Sequence, residues 1–268
     1  MRILIIRHGD PDYSIDSLTE KGHREASLLA DMLEREQIDY AYVSPLGRAR
    51  HTADYTLKRK GMEGEICDWL REFPCRINRP DRSDGKTCVW DFLPQDWTAV
   101  PEYYDKDEWF RTPIMTAGEV EKEYRYVTDS LDELLCRHGY RRDGQIYRVE
   151  RANNDTLAFF CHFGLECVLL SHLIGVSPMV LWHGFVAAPT SVTTIYTEER
   201  RQGIASFRIA SFGDVSHLYA AGEKPAFAAR FLFGPLPPYC TEEIPAEKAA
   251  ALTSWLPLPL GWNTLDRV

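Results

Sequence analysis

The chain has 268 residues, a formal charge of −9, 44% hydrophobic residues and 26% charged residues. These are the proportions of an ordinary soluble globular protein of one large or two small domains, and they exclude intrinsic disorder, collagen-like repetition and a disulfide-dense mini-protein. An acidic chain repels phosphate backbones and anionic lipid, so neither nucleic acid nor a membrane surface is an expected partner, and any phosphate it handles must sit in a local basic pocket. The seven cysteines, Cys67, Cys75, Cys88, Cys136, Cys161, Cys167 and Cys240, contain no Cys-x-x-Cys pair. They read as reduced, mostly buried thiols of a cytoplasmic protein. The apolar opening Met1–Ile6 is too short for a signal peptide. No apolar run reaches the ~20 residues of a membrane span.

Ile3–Ile6 is a short apolar run ending in Arg7-His8-Gly9, which reads as a buried parallel strand followed by a loop. Thr19 is an N-cap for a helix running to about Glu36, with Leu28, Leu29, Met32 and Leu33 at helical spacing. Tyr40–Val43 is a second strand. Ser44-Pro45 then opens a helix to about Lys60, with Ser44 as N-cap and Pro45 at N1. Glu65–Leu70 is a third strand. Residues 73–116 are irregular, with five prolines (Pro74, Pro80, Pro94, Pro101, Pro113) and with Trp90, Trp97 and Trp109. A long helix follows from Glu119 to about Arg137. Gln145–Glu150 and Thr156–Cys161 read as strands around the turn Asn153-Asn154-Asp155, Leu165–Ile174 as a helix ended by Gly175, and Val192–Thr197 with Ala205–Phe212 as a hairpin. Alternating strands and helices predict an α/β fold: a three-layer sandwich with a mainly parallel central sheet and helices on both faces.

In such a sheet ligands bind beyond the carboxyl ends of the strands. Arg7 and His8 follow the first strand, Ser44 and Arg48 the second, Glu72 the third, and His162 with Gly164 the strand ending at Cys161. If these strands are parallel, one edge gathers two histidines, two arginines and a glutamate. That set suits a phosphate monoester: guanidiniums for bidentate contacts, a helix N-terminus for N–H donors, an imidazole nucleophile and a carboxyl proton donor. No second His/Asp cluster stands at metal-ligand spacing.

Arg7-His8-Gly9 after an N-terminal strand resembles the signature of the histidine phosphatase superfamily, which includes the phosphoglycerate mutases. Leu18-Thr19-Glu20-Lys21-Gly22 with Ala26 is similar to the family's first-helix opening, and Ser44–Ala53 resembles its second motif. Leu70-Arg71-Glu72 falls where the family has its proton donor, and Cys161-His162-Phe163-Gly164 at its second His-Gly motif, with Phe163 where many members have Gly. The resemblance covers roughly residues 1–72 and 156–218. It implies a cofactor-independent phosphatase of a small phosphorylated metabolite. His8 would form a phosphohistidine, Arg7, Arg48 and His162 would hold the phosphoryl group, and Glu72 would protonate the leaving alcohol and then activate water. No metal and no organic cofactor is required. Two other readings are a phosphomutase of the same fold and a binding protein that keeps the pocket without turnover.

The sequence thus reads as a single phosphoglycerate mutase-like domain over 1–268, with an inserted cap at about 73–155 and a Pro-rich extension at about 219–268. Arg76, Arg79, Arg82, Trp90 and Trp97 in the cap are either a substrate-selecting lid or the packing of the insertion's own core with its arginines in solvent. The oligomeric state is not legible.

Overall fold

The structure is a computed structural model that describes residues 1–82 and 85–226. The expected Pro-rich extension therefore lies outside the described residues from 227 onward. In chain order the elements are β1 (Arg2–Arg7), β2 (Pro11–Asp12), β3 (Ser17–Leu18), α1 (Glu20–Leu33), β4 (Tyr40–Val43), α2 (Gly47–Lys60) and β5 (Glu65–Ile66). Then come β6 (Arg76–Asn78), β7 (Lys86–Cys88), α3 (Pro94–Thr98), α4 (Pro113–Ala117), α5 (Val120–Arg137), β8 (Tyr140–Asp143) and β9 (Ile146–Val149). The last are β10 (Thr156–Cys161), α6 (Phe163–Ile174), α7 (Pro178–Gly184), β11 (Val192–Arg201), β12 (Ile204–Asp214) and α8 (Ser216–Ala220).

The main sheet has eight strands in the order β5-β4-β10-β1-β11-β12-β9-β8. The half that carries the candidate residues, β5, β4, β10 and β1, is parallel. Beyond β1 the sheet continues antiparallel through β11, β12, β9 and β8. The α/β sandwich expected from the sequence is therefore present, with its parallel part at the centre and an antiparallel wing.

Alternation along β1 sets the two outer layers. Leu4 and Ile6 cluster with Leu29 and Leu33 of α1 and Ala53 of α2. Ile3 and Ile5 cluster with Leu131 and Leu135 of α5 and Leu165 and Val168 of α6. Side chains on both faces are buried, which is why the strand reads as a continuous apolar run. Thr19 caps α1, its hydroxyl accepting from the Gly22 amide at 3.0 Å. Gly175 ends α6 in the left-handed conformation, φ 71°.

Several boundaries differ from the sequence expectation. Helix α2 starts at Gly47, not at Ser44-Pro45, because the Ser44 side chain is engaged elsewhere. The expected strand Glu65–Leu70 is only β5, followed by a single 3₁₀ turn at Asp68–Leu70. Helix α6 begins two residues earlier than expected, at Phe163. β9 does not pair with β10 around Asn153-Asn154-Asp155. It forms a hairpin with β8, which the sequence reading passed over, through a turn at Gly144, φ 60°. Thr156–Cys161 is buried along its whole length and so belongs in the middle of the sheet. Of the expected cap, α5 forms part of a helical layer and β8–β9 extend the sheet, so only about 73–119 stands outside the layers.

Candidate active site

His8 stands at the carboxyl end of β1, 2% exposed. Its amide donates to the Cys161 carbonyl at 3.1 Å, and its own carbonyl accepts from Thr190 at 3.2 Å. The ring atom Nδ1 lies 2.7 Å from the Gly9 carbonyl oxygen. A carbonyl can only accept, so Nδ1 carries the proton and the lone pair is left on Nε2. Burial, reinforced by Arg7 and Arg48, pushes the ring's pKa well below the ordinary histidine value. His8 is neutral at pH 7, with an unshared pair.

His162, just past β10, is fully buried, its ring centroid 5.0 Å from that of His8. Its Nε2 is 2.8 Å from Ser44 Oγ, which also accepts from the Leu46 amide at 3.3 Å. This is where the Ser44 hydroxyl goes instead of capping a helix. The ring's other nitrogen, Nδ1, is buried and has no partner among the described residues. Burial first, then His8, Arg48 and Arg7, hold His162 far below its ordinary pKa.

Arg7 and Arg48 flank the histidines. Arg7 donates through Nη1 to the Ala187 carbonyl. Burial lowers its pKa, against the pull of Tyr13, Glu72 and Glu166. Arg48, in the first turn of α2 and 9% exposed, donates through Nη1 to Asp16 Oδ1 at 2.7 Å. In both guanidiniums Nε is buried and has no partner among the described residues. Asp16 Oδ2 accepts from the Gly47 amide at 2.7 Å. A side chain at Gly47 would strike the Asp16 carbonyl, so only glycine allows this approach. The Gly47 amide that opens α2 and the Leu46 amide before it are thus taken by Asp16 and Ser44. They are not the free N–H donors that the sequence reading placed in the site.

Glu72 follows the 3₁₀ turn rather than a strand end. Its Oε1 accepts from the amides of Phe73 at 3.0 Å and Leu165 at 3.1 Å. Both bonds fall on Oε1, leaving Oε2 for a proton. Burial raises its pKa, opposed by the Phe73 amide, Arg48, Arg7 and the Leu165 amide. Gly164 makes this packing possible. A Cβ there would lie 2.6 Å from Trp90 Cζ3 and 2.7 Å from Glu72 Oε1. The Trp182 indole donates to the Gly164 carbonyl at 2.8 Å and fixes that turn.

The fold therefore brings Arg7, His8, Arg48, Glu72 and His162 into one electrostatically coupled group. Sequence reasoning missed Asp16 and Glu166. Glu166, in the first turn of α6, is 1% exposed and acts on Arg7, and burial pushes its carboxyl up to about 7. Phe163, expected at the pocket floor, has its ring 6.0 Å from the Arg7 guanidinium. His183 is not in this group. It stacks on Trp97 at 4.9 Å, with Nδ1 donating to the Met179 carbonyl at 2.7 Å. Arg79, read as a substrate cation or a solvated one, is neither: it is 8% exposed and paired with Asp81 and Asp91. Among the described residues no group of three or more His, Cys, Asp or Glu side chains is arranged to hold a metal ion, and no helix is long and apolar enough to cross a membrane.

A neutral imidazole with a free pair, two guanidiniums with buried unused donors and a carboxyl whose pKa burial raises can bind an oxyanion, attack it and protonate what leaves. Residues 3–77 match the model of the histidine phosphatase superfamily (branch 1). Phosphoserine phosphatase 1 of Hydrogenobacter thermophilus is 26% identical over 224 residues, 78% of this chain and 92% of that protein. Among solved structures, a mutant phosphoserine phosphatase from Entamoeba histolytica in complex with phosphoserine superposes with TM-score 0.54 at 18% identity, over 81% of this chain and 98% of that one. A mycobacterial glucosyl-3-phosphoglycerate phosphatase gives 0.52 at 17% identity, over 79% and 98%. The two structures share the fold, and the matched N-terminal segment carries Arg7, His8, Arg48 and Glu72. The chain's N-terminal segment thus matches the histidine phosphatase superfamily, and the chain has the fold of these solved phosphatases.

Proposed function

We propose that the protein is a phosphatase of a small phosphorylated metabolite, working through a phosphohistidine on His8. The observation that carries this reading is the state of His8: buried, neutral, with Nδ1 committed to the Gly9 carbonyl and Nε2 free. Around it Arg7 Nε, Arg48 Nε and His162 Nδ1 are buried nitrogens without partners among the described residues, and a phosphoryl group's oxygens would satisfy them with His162 protonated at Nδ1. The names of the relatives, phosphoserine phosphatase and glucosyl-3-phosphoglycerate phosphatase, support the same substrate class.

In the first step His8 Nε2 forms a bond to phosphorus, the bond from phosphorus to the ester oxygen breaks, and that oxygen takes the proton of Glu72 Oε2. In the second step the Glu72 carboxylate takes a proton from water, the water oxygen bonds to phosphorus, and the P–N bond breaks to restore neutral His8. Arg7 and Arg48 neutralise charge on the non-bridging oxygens in both steps and neutral His162 donates a hydrogen bond to one of them, so the scheme calls on no metal or organic cofactor. We assign residues of about 73–119 to a cap over this edge. We place the enzyme in the cytoplasm, as its free buried thiols Cys67, Cys75, Cys161 and Cys167 suit a reducing compartment.

The test is turnover of p-nitrophenyl phosphate and a panel of phosphorylated metabolites by wild type and His8→Ala, in EDTA, with quenching in alkaline denaturant, peptide mapping at alkaline pH and a separate check of acid lability. The expected result is metal-independent turnover, acid-labile phosphate on His8, and near-complete loss in the variant. Phosphate trapped on Ser44, or a rate restored only by a divalent ion, overturns the reading.

A further inference from the structure

We propose that His217 of α8 is a positioning residue of the active site, holding through the Thr190 hydroxyl the bend of residues 187–191 on which Arg7 and His8 are seated. This rests on the phosphatase reading above and extends it to a residue beyond the end of β12.

The bend grips Arg7 and His8 by their backbones as well as by a side chain. The Arg7 amide donates to the Ser191 carbonyl at 3.1 Å, and Arg7 Nη1 donates to the Ala187 carbonyl. The Thr190 amide donates to the His8 carbonyl at 3.2 Å. Ala187, Thr190 and Ser191 are all buried. The guanidinium that meets phosphoryl oxygens and the imidazole that meets phosphorus therefore take their places from one short segment.

Thr190 turns that segment with φ 59°. Among the described residues three non-glycines have a positive φ, Asp16, Glu119 and Thr190, and Thr190 is the β-branched one, for which this region is least favourable. Such a conformation persists only where the surroundings over-determine it. Glycine would adopt it freely, but glycine has no hydroxyl. Thr190 Oγ1 donates its single proton to the Pro189 carbonyl at 2.7 Å, so its other partner, His217 Nε2 at 3.1 Å, must itself be the donor. His217 is buried, and its Nδ1 has no partner among the described residues. Burial holds the ring's pKa down to about 4 against the pull of Asp214, so the imidazole is neutral at pH 7 and its N–H is spent on Thr190. The chain His217–Thr190–His8 thus runs from α8 to the nucleophile through two hydrogen bonds.

The experiment measures kcat/KM for p-nitrophenyl phosphate, the Kd of inorganic phosphate by calorimetry, and Tm, in wild type, His217→Phe, His217→Gln, Thr190→Gly and the double variant His217→Phe/Thr190→Gly. Phenylalanine fills the space without a donor, whereas the glutamine amide can donate to the hydroxyl. His217→Phe is expected to lower kcat/KM and weaken phosphate each by about tenfold, because Arg7 and His8 shift together. His217→Gln should restore most of both. In the Thr190→Gly background His217→Phe should change kcat/KM by less than about twofold, since the relay is already cut. If His217→Phe does not fold, Thr190→Ser against Thr190→Ala makes the same comparison: serine keeps the hydroxyl and should keep the activity that alanine loses. A lowered Tm with kcat/KM and Kd unchanged, equal losses in Phe and Gln, a full loss in the Thr190→Gly background, or equal activity of the serine and alanine variants overturns the role of His217 and leaves the phosphatase reading intact. A wild type that turns over no phosphomonoester overturns the phosphatase reading, and the phosphate Kd values then decide the role of His217.

Discussion

Asp16 holds Arg48 from outside the site: one carboxylate oxygen takes Arg48 Nη1 and the other takes the Gly47 amide, each at 2.7 Å. Asp16 itself is in the left-handed region, φ 47°. Partial burial works against its carboxylate, yet the Gly47 amide and Arg48 outweigh that and hold it below its ordinary pKa. The Asp16 side chain is 43% exposed and that of Arg48 11%, so the pair lies across the boundary between solvent and site. A carboxylate there either orients Arg48 or competes with phosphate for it.

Orientation is the stronger effect. Asp16 uses a terminal nitrogen of Arg48 and leaves the buried Nε untouched. Asp16→Ala is therefore expected to lower kcat/KM by roughly 10- to 100-fold, as a misplaced charge-stabilising group does. Steady-state kinetics on p-nitrophenyl phosphate measures it. A rise in kcat/KM would mean that Asp16 competes with substrate.

A second prediction concerns Gly164. Alanine is the better helix former by up to ~1 kcal/mol. Here its Cβ would meet Trp90 at 2.6 Å and Glu72 Oε1 at 2.7 Å. Gly164→Ala should thus keep the fold but displace the acid and the tryptophan over it. Turnover should fall at least about tenfold while the melting temperature changes little. Unchanged turnover would show that Trp90 moves aside freely.

A third concerns Arg79. Its Nε and Nη2 grip both oxygens of Asp81 at 2.7 and 2.6 Å, and Nη1 reaches the Asp91 carbonyl at 3.1 Å. Removing the buried guanidinium takes from the partly exposed Asp81 and Asp91 the side chain that ties them together. Arg79→Met should lower Tm by several degrees, open residues 73–119 to limited proteolysis and reduce activity on all esters alike. A changed substrate ranking with unchanged proteolysis would return Arg79 to the substrate site.

The legible part of the site was the part set by strand ends. Arg7, His8, Arg48 and His162 fall at or just past the carboxyl ends of β1, β4 and β10, and parallel pairing of those strands brings them together. Ser44 was visible but ambiguous, since a serine before proline looks the same whether it caps a helix or turns to a histidine over a hundred residues away. Asp16 lies in a short loop whose only marker is its left-handed backbone, which sequence does not display. The Asp143-Gly144 turn is a local hairpin signal that the sequence reading passed over, taking Asn153-Asn154-Asp155 as the turn instead. Three arginines in one segment looked alike, and only tertiary pairing separates Arg79, locked to aspartates, from Arg76.

The last prediction is the pH behaviour of Glu72. Burial raises its pKa despite Arg48, Arg7 and two amide hydrogen bonds, so it stays protonated above the ~4.3 of a free glutamate. A bound phosphate dianion pushes in the same direction. Activity on alkyl phosphates is therefore expected to fall as pH rises through this raised value. For stability, the folded protein holds the proton more tightly than the unfolded chain. The contribution of Glu72 is fully present below the unfolded value and is lost as pH rises through the folded one. Glu72→Gln separates the chemistry from the packing. A glutamine carbonyl can still accept from Phe73 and Leu165, and its NH₂ replaces the O–H without releasing a proton. It should remove this pH dependence of stability and cost ~10²–10⁴-fold in kcat/KM on alkyl phosphates. With p-nitrophenyl phosphate the leaving group needs little protonation, and kcat/KM reports only steps through formation of the phosphoenzyme. That ratio should be largely spared while kcat falls, because hydrolysis of phosphohistidine now lacks its base, and a burst of p-nitrophenol should precede slow turnover. Equal losses of kcat/KM on both esters, with no burst, would remove Glu72 from the role of proton donor.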